Sequence, residues 1–149
     1  EHWGEDFNMV EQRFDENVQL MLQHVNTQTN TCKVHKRKGL SSVEMSKMII
    51  DRERFDLIYI DGSHQASDVF LDAAMAFALL NVGGVLIFDD YNILEKPRPN
   101  EYTIPTIAID AFMHVHNNKL ELIVFTVDET DEKVLAENIY QIYMIKTAE

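Results

Sequence analysis

Three aspartates and a histidine are the residues of this chain best suited to chemistry: Asp61, Asp89, Asp90 and His64. Asp61 ends the run Phe-Asp-Leu-Ile-Tyr-Ile-Asp, and Asp89-Asp90 end the run Val-Leu-Ile-Phe-Asp-Asp. Both runs have the length and the Ile, Val and aromatic content of buried strands. As parallel neighbours, about 4.8 Å apart, they would set Asp61 beside Asp89 at the carboxyl edge of a sheet, where α/β proteins bind ligands. Carboxylates that close repel, so a cation joins them or one pKa rises. An all-oxygen set suits Mg²⁺, Mn²⁺ or Ca²⁺ better than Zn²⁺. Asp90 joins only if the chain turns after Asp89, since strand neighbours point to opposite faces. The same aspartates can equally cap turns and helix starts, and spacing leaves both readings open. Gly62 permits close backbone approach to a ligand. His64 either takes a proton at the mouth of that crevice or caps the helix that follows.

The segments around these residues set how they are held. Asn8 to about Asn26 reads as an amphipathic helix with Val10, Phe14, Val18, Met21, Leu22 and Val25 at helical spacing, opened by an Asn8/Glu11 capping box. Cys32–Lys38 reads as a short strand ended by Gly39, its lysines blunting an exposed edge. Ser41 and Glu44 form a second capping box for a helix through about Ile50. Asp56–Ile60 is a strand. Ser67–Leu80 is the crossover helix, with Val69, Phe70, Ala73, Ala74, Phe77 and Leu80 on its apolar side. Gly83-Gly84 turns the chain into the strand Val85–Phe88. After the loop Asn92–Thr103, with Pro97 and Pro99, Pro105 opens a helix to about His116. Leu120–Val127 and Ile139–Ile145 read as an antiparallel pair, because the acidic Asp128–Glu137 holds no convincing crossover helix. Tyr91 either walls a ligand pocket or packs under the proline loop. His114 and His116 do not share a helix face, which disfavours a zinc pair.

Composition narrows the functional classes. At 149 residues the chain has the size of one domain with a real core. Its formal charge of −12 disfavours nucleic acid, since phosphate binding uses clustered Lys and Arg. No apolar run approaches the roughly 20 residues that span a bilayer, so no membrane association is expected. The opening residues Glu1 to Asp6 are acidic, unlike a signal peptide. A single cysteine, Cys32, fits a reducing compartment, and a cytoplasmic location is the expectation.

Phe55–Tyr91, with the Gly39-Leu40-Ser41 turn before it, resembles the class I S-adenosylmethionine-dependent methyltransferases. The combined Asp-Gly-Ser-His and Gly-Gly…Phe-Asp-Asp-Tyr pattern is similar to the metal-dependent catechol-type O-methyltransferases. The resemblance implies an α/β, Rossmann-like fold with strand order 3-2-1-4-5-7-6 and an antiparallel seventh strand. It implies S-adenosylmethionine as cofactor, with Gly39 and Ser41 near the adenine and Asp61 and Gly62 near the methionine end. Asp61, Asp89 and Asp90 would hold a divalent cation, with Mg²⁺ expected. A small-molecule hydroxyl would be the acceptor, and His64, in place of the family's lysine, would take its proton alongside Asp61. Asp90 stands where the family often has asparagine.

The family's glycine-rich turn and ribose-binding acid have no counterpart here, and none of the five glycines forms a G-x-G pattern. The expectation is therefore a single, N-terminally truncated domain over residues 1–149, a partial fold holding strands three to seven. Without strands one and two, strand four becomes an edge that invites pairing, so a homo-oligomer, an exchanged element or a rearrangement near strand three is expected. The alternative to an enzyme is a non-catalytic binding or assembly module built on the same half-fold.

Overall fold

The computed structural model describes residues 7–27, 29–91, 104–123 and 141–149. They fall into two compact units, Glu1–Lys38 and Gly39–Glu149. The first contains helix α1, Phe7–Val25. The second contains α2 (Ser41–Ile50), β1 (Phe55–Ile60), α3 (Ala66–Leu79), β2 (Leu80–Phe88), α4 (Pro105–Val115), β3 (Leu120–Ile123) and β4 (Ile142–Lys146).

In the first unit the segment after α1 forms no strand, contrary to the expectation for Cys32–Lys38. No neighbouring strand supplies a ladder for it among the described residues of the unit, and its polar groups turn to α1. The Cys32 amide donates to Asn26 Oδ1 at 2.5 Å. Lys36 Nζ reaches Asp15 at 2.6 Å and Glu11 at 3.0 Å, and Lys38 Nζ reaches Glu11 at 2.6 Å. These two lysines hold Glu11 well below the carboxylate range, at about 2. Glu11 is thus a strap rather than half of a capping box, and Asn8 lies inside the helix.

The second unit is a four-stranded sheet of order β1-β2-β4-β3. β1 and β2 are parallel, and β4 is antiparallel to both β2 and β3. This is the 4-5-7-6 half of the Rossmann-like order, with the expected antiparallel strand and β1 at an edge. The right-handed crossover rule for parallel strands requires α3 to lie across the sheet between β1 and β2. Its buried stripe is Val69, Asp72, Ala73, Ala76 and Phe77, at the 3.6-residue period. Phe70 and Ala74 fall outside that stripe and are exposed, which corrects the expected face. α3 and α4 cover one face of the sheet, where Leu86, Phe88, Ala108, Ile109, Phe112, Ile142 and Met144 form the core. Burial of each large side chain there contributes roughly 1.5–3 kcal/mol.

Gly83 and Gly84 lie within β2 instead of leading into it. Phe55 pairs with Leu80 and Leu57 with Val85, so β2 absorbs the extra residues as an irregularity. Gly83 has φ +86°, and a Cβ on Gly84 would stand 2.8 Å from Leu80 Cδ1 and 2.9 Å from the Asn81 carbonyl. Both positions therefore require glycine.

α2 is capped by backbone alone: Leu40 is the N-cap, and its carbonyl accepts from the Val43 and Glu44 amides. The Ser41 hydroxyl goes to Asp72 at 2.8 Å and Glu44 goes to Lys47 at 2.5 Å, so no capping box forms. Lys146 is buried on β4 and donates to the Phe77 and Leu80 carbonyls at 3.2 and 2.9 Å, closing the end of α3. The expected loop Asn92–Thr103, the acidic stretch Asp128–Glu137 and the outer ends of the last two predicted strands lie outside the described residues. No helix of the described residues is long and apolar enough to cross a membrane.

Candidate active-site crevice

Parallel pairing ends β1 and β2 side by side. Ile60 pairs with Phe88, and the Asp89 amide donates to the Ile60 carbonyl at 3.0 Å. The two strands then release their acidic residues at one edge. The turn after β1 and the turn after β2 form a shallow crevice with the start of α4. Asp61, Gly62, Ser63, His64, Asp89 and Asp90 line it, on an apolar floor of Ile60, Val69, Phe88 and Pro105. Five of the residues singled out in the sequence therefore converge: Asp61, Gly62, His64, Asp89 and Asp90. Gly39 and Ser41 do not line it.

Asp90 leaves the strand with φ +58°, a left-handed conformation costly for most residues but accessible to aspartate. Its amide donates to Asp89 Oδ1 at 2.9 Å. The turn sends the two carboxylates in different directions. Asp90 Oδ2 meets His64 Nε2 at 2.9 Å, an ion pair whenever the imidazole is protonated. An ionised carboxylate only accepts, so Nε2 is the nitrogen that donates to Asp90. His64 is therefore not a helix cap. Gln65 is the N-cap of α3, and its carbonyl accepts from the Asp68 and Val69 amides.

Asp89 turns toward the strands instead. Its Oδ2 accepts from the Tyr59 hydroxyl of β1, which also accepts from Gln141 Nε2 at 3.0 Å. Tyr143 in turn donates to Gln141 Oε1. Burial raises the Asp89 pKa, but hydrogen bonds from Tyr59, the Asp90 amide and Gln141, with His64 nearby, leave it below the usual value. The same bond, with desolvation and the Asp61 charge, pushes the Tyr59 phenol up to about 12. Sequence reading missed this network. Tyr59 alternates with Ile58 and Ile60, which was signal enough to put its hydroxyl on the other face of β1.

The expected Asp61–Asp89–Asp90 cation set does not fit this geometry. Among the described residues no group of three His, Cys, Asp or Glu side chains could hold a metal ion. Tyr59 donates to Asp89 and His64 contacts Asp90, so both carboxylates are already engaged.

Tyr91 does not line the crevice. Its hydroxyl donates to Asp110 Oδ1 on α4 at 2.8 Å, and its carbonyl accepts from the Thr106 hydroxyl. Desolvation and Asp110 push its pKa up to about 12. Asp89 and Asp90 thus sit on a turn fastened to α4 immediately downstream.

At Gly62 a Cβ would have Asp72 Oδ2 at 3.6 Å as its neighbour, an ordinary contact. At Gly39 a Cβ would crowd Glu44 Oε1 at 3.2 Å.

Comparison with known proteins follows this geometry. Residues 1–91 match a family model described as a methyltransferase domain. Chains of solved structures also match, 28 in number. One is the Methanococcus jannaschii fibrillarin pre-rRNA processing protein, at 14% identity and a TM-score of 0.42, over 89% of this chain and 52% of that one. The chain spans about half the length of that protein. No curated protein matches it.

Proposed function

Because the chain belongs to the methyltransferase-domain family, we propose that its crevice is the acceptor side of an S-adenosylmethionine-dependent methyltransferase site, acting on a hydroxyl of a small molecule. The observation that carries this reading is the His64–Asp90 contact at 2.9 Å beside Asp61, at the joint end of two parallel strands. Bound S-adenosylmethionine supplies an electrophilic methyl group on a sulfonium. His64, paired with Asp90, would take the proton of the acceptor hydroxyl as that oxygen gains the methyl group. S-adenosylhomocysteine would be the product that leaves with the sulfur's electron pair.

Asp90 holds the imidazole in the tautomer that can accept this proton and balances the imidazolium that results. Asp61 and the Gly62 backbone would hold the positively charged methionine end of the cofactor. The apolar floor excludes water from the reacting oxygen. Most of the acceleration comes from aligning oxygen, methyl carbon and sulfur. No step here runs through a metal ion, because the three carboxylates are not gathered for one.

The test is S-adenosylhomocysteine release from the protein, S-adenosylmethionine and a panel of catechol, sugar and polyketide hydroxyls. Acceptor-dependent release that disappears in His64→Ala is the expected result. Release unchanged by His64→Ala would remove the base, and no cofactor binding by calorimetry would remove the enzyme.

One observation favours a second reading, a non-catalytic binding or assembly module. The enclosed space is about 10 Å³, far below the roughly 300–1,000 Å³ of sites that enclose a whole small ligand. Binding of an acceptor without cofactor affinity or turnover would select that module.

A further inference from the structure

Asp72 is the one buried carboxylate among the described residues, 7% exposed on α3. A helix covering a sheet normally places an apolar side chain at such a position, since a buried charge is costly without hydrogen-bonded partners. Its surroundings explain its presence. Oδ1 accepts from the Ser41 hydroxyl, in the first turn of α2, at 2.8 Å. Oδ2 lies 3.6 Å from where a Cβ would stand on Gly62, in the turn after β1. One carboxylate therefore touches two chain segments far apart in sequence, the start of α2 and the Asp61-Gly62 turn. Asp72 itself does not line the crevice.

We propose that Asp72 is a positioning residue for the cofactor, fixing the start of α2 against the Gly62 turn so that both present their backbone at one spacing. This rests on the methyltransferase reading above. Ser41 then acts through its bond to Asp72 instead of contacting the adenine with its hydroxyl.

The test uses the whole chain with S-adenosylmethionine as the probe. Asp72→Leu fills the volume but removes both contacts, whereas Asp72→Asn keeps an oxygen that accepts from Ser41. Calorimetry is expected to show affinity weakened about tenfold in Asp72→Leu and nearly retained in Asp72→Asn. Ser41→Ala should lose a similar factor, and adding it to Asp72→Leu should cost nothing further. Without ligand, amide exchange at Gly62 and Ser63 should quicken in Asp72→Leu. An Asp72→Leu protein that binds like wild type, or exchanges like it, overturns the assignment while leaving the methyltransferase reading intact. If Asp72→Leu does not fold, unchanged binding by Ser41→Ala overturns it. Wild-type protein that fails to bind the cofactor removes both.

Discussion

His64 Nε2 and Asp90 Oδ2 stand 2.9 Å apart, across the gap between the turns that follow β1 and β2. The contact exists because Asp90 adopts φ +58° instead of continuing the strand. Replacing Asp90 therefore changes two things, a charge partner and a backbone conformation. Asn tolerates the left-handed region nearly as well as Asp, so Asp90→Asn should keep its melting temperature. It no longer dictates which imidazole nitrogen is protonated. Turnover should fall by about 10²-fold, the lower range for general-base catalysis, with little change in KM. A fall in melting temperature that accounts for the lost activity would count against the pairing role.

Tyr59 donates its hydroxyl to Asp89 Oδ2 and so occupies an oxygen a cation would need. Tyr59→Phe removes that hydroxyl and leaves Asp89 Oδ2 open to a cation in the crevice. Mn²⁺ titration, followed by calorimetry or paramagnetic relaxation, should show tighter binding by the variant than by wild type. The opposite order would mean that Asp89 already serves a cation in the wild-type protein.

Tyr91 fastens the acidic turn to α4 through Asp110. Its folded pKa, about 12, lies above the ordinary 10.0. A raised pKa means the folded state holds the proton more tightly. The contribution is complete below pH 10 and disappears as pH rises toward 12. Denaturant midpoints measured from pH 9 to 12 should fall along that interval. Tyr91→Phe should reduce the tyrosine-dependent part of the fall and cost about 0.5–1.5 kcal/mol at neutral pH.

The sequence disclosed the sheet better than the contacts made on it. Phe55–Ile60 and Val85–Phe88 read as parallel strands because period and length separate a buried strand from a helix. The antiparallel end followed from an acidic connection unfit for a crossover. The Asp61, His64, Asp89 and Asp90 convergence followed from where those strands stop. What remained hidden depends on long-range partners. Cys32–Lys38 has strand composition but no ladder, and its lysines pair with α1. Ser41 and Glu44 have capping-box spacing, yet Asp72 competes successfully for the serine hydroxyl. Asp89 has the identity of a metal ligand, but a tyrosine on the neighbouring strand claims its oxygen. In each case local spacing named the group, and a residue distant in sequence chose its partner.

Lys146 is 1% exposed, with Nζ 4.5 Å from the Phe77 ring centre. Beyond the Phe77 and Leu80 carbonyls, it reaches Glu149 at 2.8 Å. Lys146→Met preserves most of the apolar stem but removes the donor from those carbonyls. The loss should be about 1–3 kcal/mol, the cost of buried acceptors losing a partner. Glu149→Gln, at an exposed partner, should change stability far less. Chemical denaturation of both variants distinguishes the roles: equal losses would mean that the ion pair, not the helix-end contact, holds the lysine.

Glu11 binds both Lys36 and Lys38 in the first unit. Its folded pKa of about 2 lies below the ordinary 4.5, so the strap is intact above pH 4.5 and is lost as pH falls toward 2. These groups are on the surface, so salt should weaken the strap as well. Glu11→Gln should speed amide exchange in residues 33–38 at low ionic strength and neutral pH. The difference from wild type should shrink at about 1 M salt, where screening acts over roughly 3 Å. It should shrink again near pH 2, where wild-type Glu11 is itself becoming neutral. Exchange that responds to the substitution equally at every pH and salt concentration would show that packing, and not these two ion pairs, orders the segment.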